Sequence, residues 1–322
     1  MKTYVNTPRS EWAALVARSL PDDTAIEDRV RGILARVKEG GDAALRAITT
    51  EIDGCAPDTF LVSREEVEAA VAKVSSKVKA AVAEADERIS AFHKLQIPRD
   101  AISEVGGVRC VRKYLPIEKV GLYIPGGSAP LFSTILMLAL PAKIAGCREI
   151  TLCTPCGKDG SVAPEILYTA FFCGIDKIYK LGGAQAIGAM AYGTETVPKV
   201  SKIFGPGNRY VMKAKQIVSA GGTAIDMPAG PSEVMVLADK TACPEFVAAD
   251  LLSQAEHGPD SQVMLVATDV SIAEAVSAEV DRQLALLPRG GIAERLSRTA
   301  GSSSLTTKTT SWLSQMNMLR SI

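Results

Sequence analysis

The sequence predicts an α/β fold in which parallel sheets are wrapped by helices, and three observations lead there. From residue 119 onward, short apolar runs alternate with glycine-rich turns and helix-length segments, the order expected when each parallel strand returns through a helix. Aromatic residues make up only 5% of the chain while Ala, Val, Ile and Leu are plentiful, a composition suited to strands covered on both faces. With 322 residues, the chain can bury a substantial core in one large or two medium domains.

Taken in order, Ser10 to Leu20, Glu27 to Lys38 and Asp42 to Ile52 read as short helices. Ser63-Arg64-Glu65-Glu66 is a capping box, in which the serine caps a new helix and the glutamate reaches back. It opens a long amphipathic helix to about Leu95, with Val67, Val71, Val74, Val78, Val82 and Ile89 near helical spacing. His93, at its end, reads as a solvated or capping side chain. Val120 to Ile124 is a short strand, followed by Pro125-Gly126-Gly127-Ser128 and a helix from about Leu131. Strand Glu149 to Cys153, helix Pro164 to Cys173 and strand Lys177 to Lys180 follow. Gly182-Gly183 opens a helix to about Ala191, then comes strand Val200 to Phe204, and Gly205-Pro206-Gly207-Asn208 starts a helix to about Ser219. A second sheet is predicted from strand Glu233 to Ala238, helix Pro244 to Glu256, strand Gln262 to Thr268 and helix Ile272 to Leu286. Pro116 to Lys119 and Met227 to Pro231 are the hinge candidates.

Composition narrows the function. Lys+Arg and Asp+Glu both number 36, and no basic run or stacking-aromatic pattern points to nucleic acid. The N-terminus lacks the apolar core of a signal peptide. The most apolar run, Leu131 to Leu140, falls well short of the roughly 20 residues a spanning helix needs, so no membrane partner is expected. Seven scattered cysteines read as reduced cytoplasmic thiols. Cys153 and Cys156 are the one close pair; without a second pair they read as small apolar residues ending a buried strand.

Three glycine-rich turns lead into helices: Pro125-Gly126-Gly127, Gly182-Gly183-Ala184-Gln185 and Gly205-Pro206-Gly207-Asn208. Singly they are turn chemistry, and none matches the dinucleotide fingerprint. At the ends of successive strands of one sheet they suggest a nucleotide site. Pro228-Ala229-Gly230-Pro231-Ser232-Glu233 is a rigid turn whose Ser232 reads first as a turn hydroxyl and second as a donor to a polar substrate. Gln254 and His257, three residues apart on a helix, project from one face and could grip a metal. A zinc site normally takes three or more protein ligands. After His257 there is no further histidine, and after Glu294 no further carboxylate side chain.

With these residues in view, the chain resembles the histidinol dehydrogenase family. The resemblance is carried by Val120-Gly121-Leu122-Tyr123-Ile124-Pro125-Gly126-Gly127, Leu181-Gly182-Gly183-Ala184-Gln185-Ala186-Ile187, Phe204-Gly205-Pro206-Gly207-Asn208, Asp226-Met227-Pro228-Ala229-Gly230-Pro231-Ser232-Glu233 and Asp250-Leu251-Leu252-Ser253-Gln254-Ala255-Glu256-His257-Gly258. It implies a homodimeric, zinc- and NAD-dependent enzyme that oxidises L-histidinol to L-histidine through the aldehyde. It implies that Tyr123, Gln185 and Asn208 contact NAD, that Ser232, Gln254 and His257 contact the substrate, and that Gln254 and His257 ligate zinc. It implies two incomplete Rossmann-like sheets, similar to the aldehyde dehydrogenase superfamily. The domains expected on this basis are an N-terminal helical arm (1–24), a discontinuous first α/β domain (25–118 with 232–294), and an NAD-binding domain (119–231).

The resemblance fades after Leu287-Pro288-Arg289. From 295 to 322 the chain is rich in Ser and Thr and free of acidic residues, which reads as a disordered or foreign-frame tail. The family's adjacent Glu-His acid–base pair and the Asp and His completing the zinc shell have no match here. A truncated or frame-altered chain of impaired activity is therefore expected. Two alternatives stay open: a member oxidising another small polar alcohol, and a non-catalytic NAD-binding or interaction protein on the same scaffold.

Overall fold

The computed structural model describes residues 2–5, 7–17, 24–54, 57–126, 130–228, 233–256, 261–287 and 301–302. The chain divides into two compact units, Asp23–Pro228 and Met1–Asp22 with Ala229–Ile322. In chain order the elements are β1 (Lys2–Thr3), α1 (Arg9–Val16), α2 (Thr24–Asp53), α3 (Arg64–Lys73), α4 (Ser76–Lys94), β2 (Ala101–Val105), β3 (Val108–Arg112), β4 (Lys119–Tyr123), α5 (Phe132–Ala145), β5 (Glu149–Thr154), α6 (Pro164–Phe172), β6 (Lys177–Lys180), α7 (Gly183–Tyr192), β7 (Lys202–Phe204), α8 (Arg209–Ala220), β8 (Ala224–Ile225), β9 (Glu233–Ala238), α9 (Pro244–Ala255), β10 (Gln262–Ala267), α10 (Val270–Leu284) and β11 (Gly301–Ser302).

The larger unit is built on a five-stranded parallel sheet of order β6-β5-β4-β7-β8. Successive strand residues face opposite sides, and the burial follows that period. Tyr123, Cys153 and Tyr179 face one core with α2, α7 and α8, whereas Leu122, Leu152 and Ile178 face the other with α3, α4, α5 and α6. Both faces are therefore covered, as a parallel sheet requires.

The packing sets α2, α3 and α4 on the five-stranded sheet, inside the Asp23–Pro228 unit. Amphipathicity fixes that a helix has a buried face, and it does not say which sheet that face covers. In α2 the stripe Val30, Ile33, Leu34, Val37, Leu45 and Ile48 meets α7 and α8. The two helices read across 27–52 are the two arms of α2, broken at Gly41 (φ 49, ψ −136).

The long helix read from Ser63 to Leu95 is two helices. Val74 is extended (ψ 129), and the Ser75 hydroxyl accepts from the Val78 amide to start α4. The valine stripe misled because Val74, Val78 and Val82 pack into one core on both sides of the break. The capping box itself is present, with Ser63 Oγ accepting from Glu66 N at 3.2 Å and Glu66 Oε2 accepting from Ser63 N at 2.9 Å. Glu66 Oε1 also receives a charge-assisted bond from Lys180 Nζ. Just ahead of α3, Val62 N donates to Ile178 O and Lys180 N to Phe60 O, both within 2.9 Å, so residues 60–62 run along the outer edge of β6.

The β2–β3 hairpin and the two-residue strands β1, β8 and β11 had no sequence counterpart. β2 and β3 form an antiparallel hairpin through the two-residue turn Gly106–Gly107, whose φ values of 58 and 80 are those a type I′ turn demands. All ten strand residues are exposed, so no burial alternation announced it. β8 spans only two residues.

In the smaller unit, β9 and β10 pair in parallel, joined through α9, and α9 and α10 pack against them around Leu251, Leu265 and Val276. Trp12 and Val16 of α1 pack on Met264 and Val266. Of the 295–322 segment only β11 is described, paired in parallel with β1; the expectation of a disordered tail otherwise lies outside the described residues. No helix among the described residues is long and apolar enough to cross a membrane.

Candidate cofactor site

The sheet order places a topological switch point between β4 and β7. After β4 the chain turns to α5 on one face, and after β7 it turns to α8 on the other. The diverging connections leave a crevice at the carboxyl ends of these two strands, the position where open α/β sheets bind ligands. The glycine-rich turns singled out in the sequence flank that edge, after β4, β6 and β7.

Tyr123 ends β4. Its hydroxyl oxygen accepts from the Gly183 amide at 3.1 Å, one of the amides at the start of α7 that no turn of helix satisfies. Burial pushes its ionisation up to about 12, so the phenol keeps its proton at ordinary pH.

Gln185 lies two residues further along α7 and is fully buried. Its Nε2 donates to Asp53 Oδ2 at 3.4 Å, while its Oε1 is buried with no hydrogen-bond partner. A buried oxygen left unpaired costs about 1–3 kcal/mol, and such an atom in an otherwise well-bonded site calls for a reason. Desolvation holds the Asp53 carboxyl above the usual carboxylate range.

Asn208 is the N-cap of α8; its Oδ1 accepts from the amides of Tyr210 and Val211, each at 3.1 Å. The turn before it is held unusually tightly. Gly205 has φ +126, and a Cβ there would lie 2.1 Å from the Tyr123 carbonyl oxygen. Both of its main-chain groups are engaged: its amide donates to Asp226 Oδ2 and its carbonyl accepts from Lys215 Nζ, each at 2.9 Å. Lys215 and Asp226 are themselves ion-paired. The crevice thus combines a main chain bare of side chains with an unpaired acceptor, which is what the hydroxyl and amide groups of a dinucleotide need.

In the smaller unit, Gln254 sits on α9, buried, and its Nε2 donates to the Ser261 hydroxyl at 3.3 Å. Ser232 and His257 lie outside the described residues. Among the described residues no three His, Cys, Asp or Glu side chains come together as a metal-binding group. His93, in the last turn of α4, pairs through Nδ1 with Gln96 Oε1 at 2.7 Å and takes no part in the crevice. Cys153 is buried at the end of β5, and neither it nor Cys156 is in a disulfide.

Three residues escaped the sequence reading. Lys215 carried a signal: it sits on the apolar stripe of α8 formed by Val211, Ala214 and Val218, where a lysine needs a buried partner. Asp226 stood in a quoted motif without a role, and nothing local marked Asp53.

The histidinol dehydrogenase family model matches residues 16–320. The chain belongs to the histidinol dehydrogenase family. The match runs into the 295–322 segment, which was expected to depart from the family. Histidinol dehydrogenase of Bacteroides fragilis (strain YCH46) is 52% identical over 296 residues, 92% of this chain and 69% of its own length. That of Haemophilus influenzae (strain 86-028NP) is 54% identical over 271 residues, 84% of this chain and 62% of its own length. The crystal structure of histidinol dehydrogenase from Elizabethkingia anophelis superimposes with a TM-score of 0.91 at 50% identity, covering 96% of this chain and 71% of that one. The family's enzymes are oxidoreductases of histidine biosynthesis.

Proposed function

We propose that the chain acts in the oxidation of L-histidinol to L-histidine through the aldehyde, with NAD as oxidant and zinc anchoring the substrate. In this reading Tyr123, Gln185 and Asn208 contact NAD, Ser232, Gln254 and His257 contact the substrate, and Gln254 and His257 hold zinc. The observation that carries the cofactor part is the buried, unpaired Gln185 Oε1 beside the switch-point crevice. An acceptor kept without an internal partner suits a bond that a ligand completes. The reading extends to a homodimer in the cytoplasm, supported by the family and by six cysteines outside any disulfide among the described residues.

NAD, when bound, takes up the hydride. The chain's own groups bind and orient. Tyr123 stays a neutral phenol up to about pH 12, so it serves as a hydrogen-bonding group and not as a base. Asn208 fixes the first turn of α8, which sets where the Gly205–Gly207 main chain lies. Asp53 is engaged with Gln185, and no proton transfer is assigned to it. Gln254 alone of the expected zinc ligands is described, with its carboxamide nitrogen turned to Ser261; a single carboxamide does not make a zinc site, and no step is derived through the metal.

The test has two arms. Calorimetric titration with NAD should show saturable binding that weakens in Gln185→Leu; a folded chain that binds no NAD overturns the cofactor reading. Absorbance of NADH formed from L-histidinol with added zinc tests the substrate. Turnover of simple alcohols without turnover of L-histidinol overturns that part.

A further inference from the structure

We infer that the pair formed by the buried Lys215 and the more exposed Asp226 is a positioning device for the Gly205–Pro206–Gly207 turn, and through it for the cofactor; this rests on the NAD reading above. Lys215 is 1% exposed, and its ammonium reaches back across the first turns of α8 to the Gly205 carbonyl at 2.9 Å. Asp226, just beyond β8, accepts from the Gly205 amide at 2.9 Å through Oδ2, and from Met227 N at 2.8 Å through Oδ1. Oδ1 also meets the Lys215 ammonium, which closes a ring: Gly205 N, Asp226, Lys215, Gly205 O.

Stability alone is a poor reason for such a pair. Taking the Lys215 ammonium out of water offsets most of its attraction to the partly exposed Asp226 carboxylate, and an apolar residue commonly holds such a buried position as well or better. What an apolar replacement cannot do is grip the amide and the carbonyl of one residue together. Gly205 sits at φ +126, with no room for a Cβ beside the Tyr123 carbonyl. The ring therefore locks the turn that closes the switch-point crevice to β4, to the stretch after β8 and to the helix it precedes. Neither charged residue needs to touch the ligand for this; both act through the main chain.

The experiment compares Lys215→Met, the double variant Lys215→Met with Asp226→Asn, and Gln185→Leu, with NAD affinity measured by calorimetry well below each variant's melting temperature. Lys215→Met leaves the partly exposed Asp226 carboxylate without its cation and the Gly205 carbonyl without its donor, and should lose stability. The double variant removes both charges and should recover much of that loss, while still binding NAD about 10- to 100-fold more weakly, because a displaced cradle costs orientation. Amide exchange at Gly205 should be faster in the double variant than in the parent, a readout that an effect on bulk stability alone would not single out. If the double variant does not fold, Lys215→Met, which removes the donor to the Gly205 carbonyl, is read in the same way at a temperature where it stays folded. A folded double variant with the parent's affinity and parental exchange at Gly205 overturns the inference. When Gln185→Leu weakens binding in that same experiment, the cofactor reading survives and only the clamp falls. A parent chain that binds no NAD overturns both.

Discussion

Replacing Gly205 by alanine tests how closely β4 and the turn after β7 approach one another. A left-handed φ of +126 is foreign to a residue with a Cβ, and holding one there costs about 1–3 kcal/mol. The added methyl would also lie 2.1 Å from the Tyr123 carbonyl oxygen, below the 3.0 Å that real Cβ contacts respect. That obstacle is backbone in the middle of a sheet, so it cannot swing aside as a side chain would, and overpacking of this kind costs about 1–3 kcal/mol more. The sum is about 2–6 kcal/mol. For a unit of this size each kcal/mol moves the midpoint by roughly 2–4 °C, so a drop on the order of 10 °C is expected. Gly221→Ala is the matched control at the other end of α8. There φ is −87 and the nearest atom to an added Cβ is the Val218 carbonyl at 3.4 Å, an ordinary contact. It should be neutral or stabilising by up to about 1 kcal/mol. Urea denaturation followed by far-ultraviolet circular dichroism measures both. If Gly205→Ala unfolds within about 1 kcal/mol of Gly221→Ala, the close approach and the locked turn are wrong.

Two further outcomes are expected. Gln185→Leu removes a buried unpaired oxygen and should leave stability unchanged or raised by about 1 kcal/mol while NAD binding falls; a loss of stability in urea melts would mean that the carboxamide is a structural bond. Tyr123 gives an alkaline signature. Its folded-state ionisation lies near 12 against the usual 10, so the folded chain holds the proton longer, and the associated stability is present below pH 10 and lost as pH rises from 10 to 12. The loss amounts to no more than about 3 kcal/mol. Urea midpoints at about pH 9 and 11 should converge in Tyr123→Phe relative to the parent, and an unchanged slope would show that the phenol titrates as if solvated.

Much of the fold was legible because the sheet's strands are short, apolar and punctuated. β6 and β9 fall on the residues read for them, and α6 and α9 are each within one residue of theirs, since Pro164 and Pro244 mark helix starts unambiguously. What failed has a common cause: the sequence carries local signals and burial periods, and the misses depended on neither. The hairpin of β2 and β3 is exposed throughout, so no face had to alternate. The break at Val74 leaves the apolar stripe intact, so the pattern ran through it. At the site, the glycine turns and Gln185 were readable as motifs, whereas Asp53 enters from the far end of α2, 132 residues away, through a contact no spacing rule encodes. Lys215 was the one missed residue with a local clue, a charge on a helix face that is otherwise apolar.

The carboxylate of Glu66 serves two masters at once: one oxygen closes the start of α3, the other receives Lys180 from the outermost strand. The three residues just ahead of that helix lie along the strand's open side. Starting the helix and shielding the sheet from intermolecular strand pairing are thus a single event. An edge normally invites association as soon as its cover lifts. Here the cover cannot peel away while the helix stays wound, so local fraying at residue 63 and exposure of a sticky strand become one cooperative opening with one free energy.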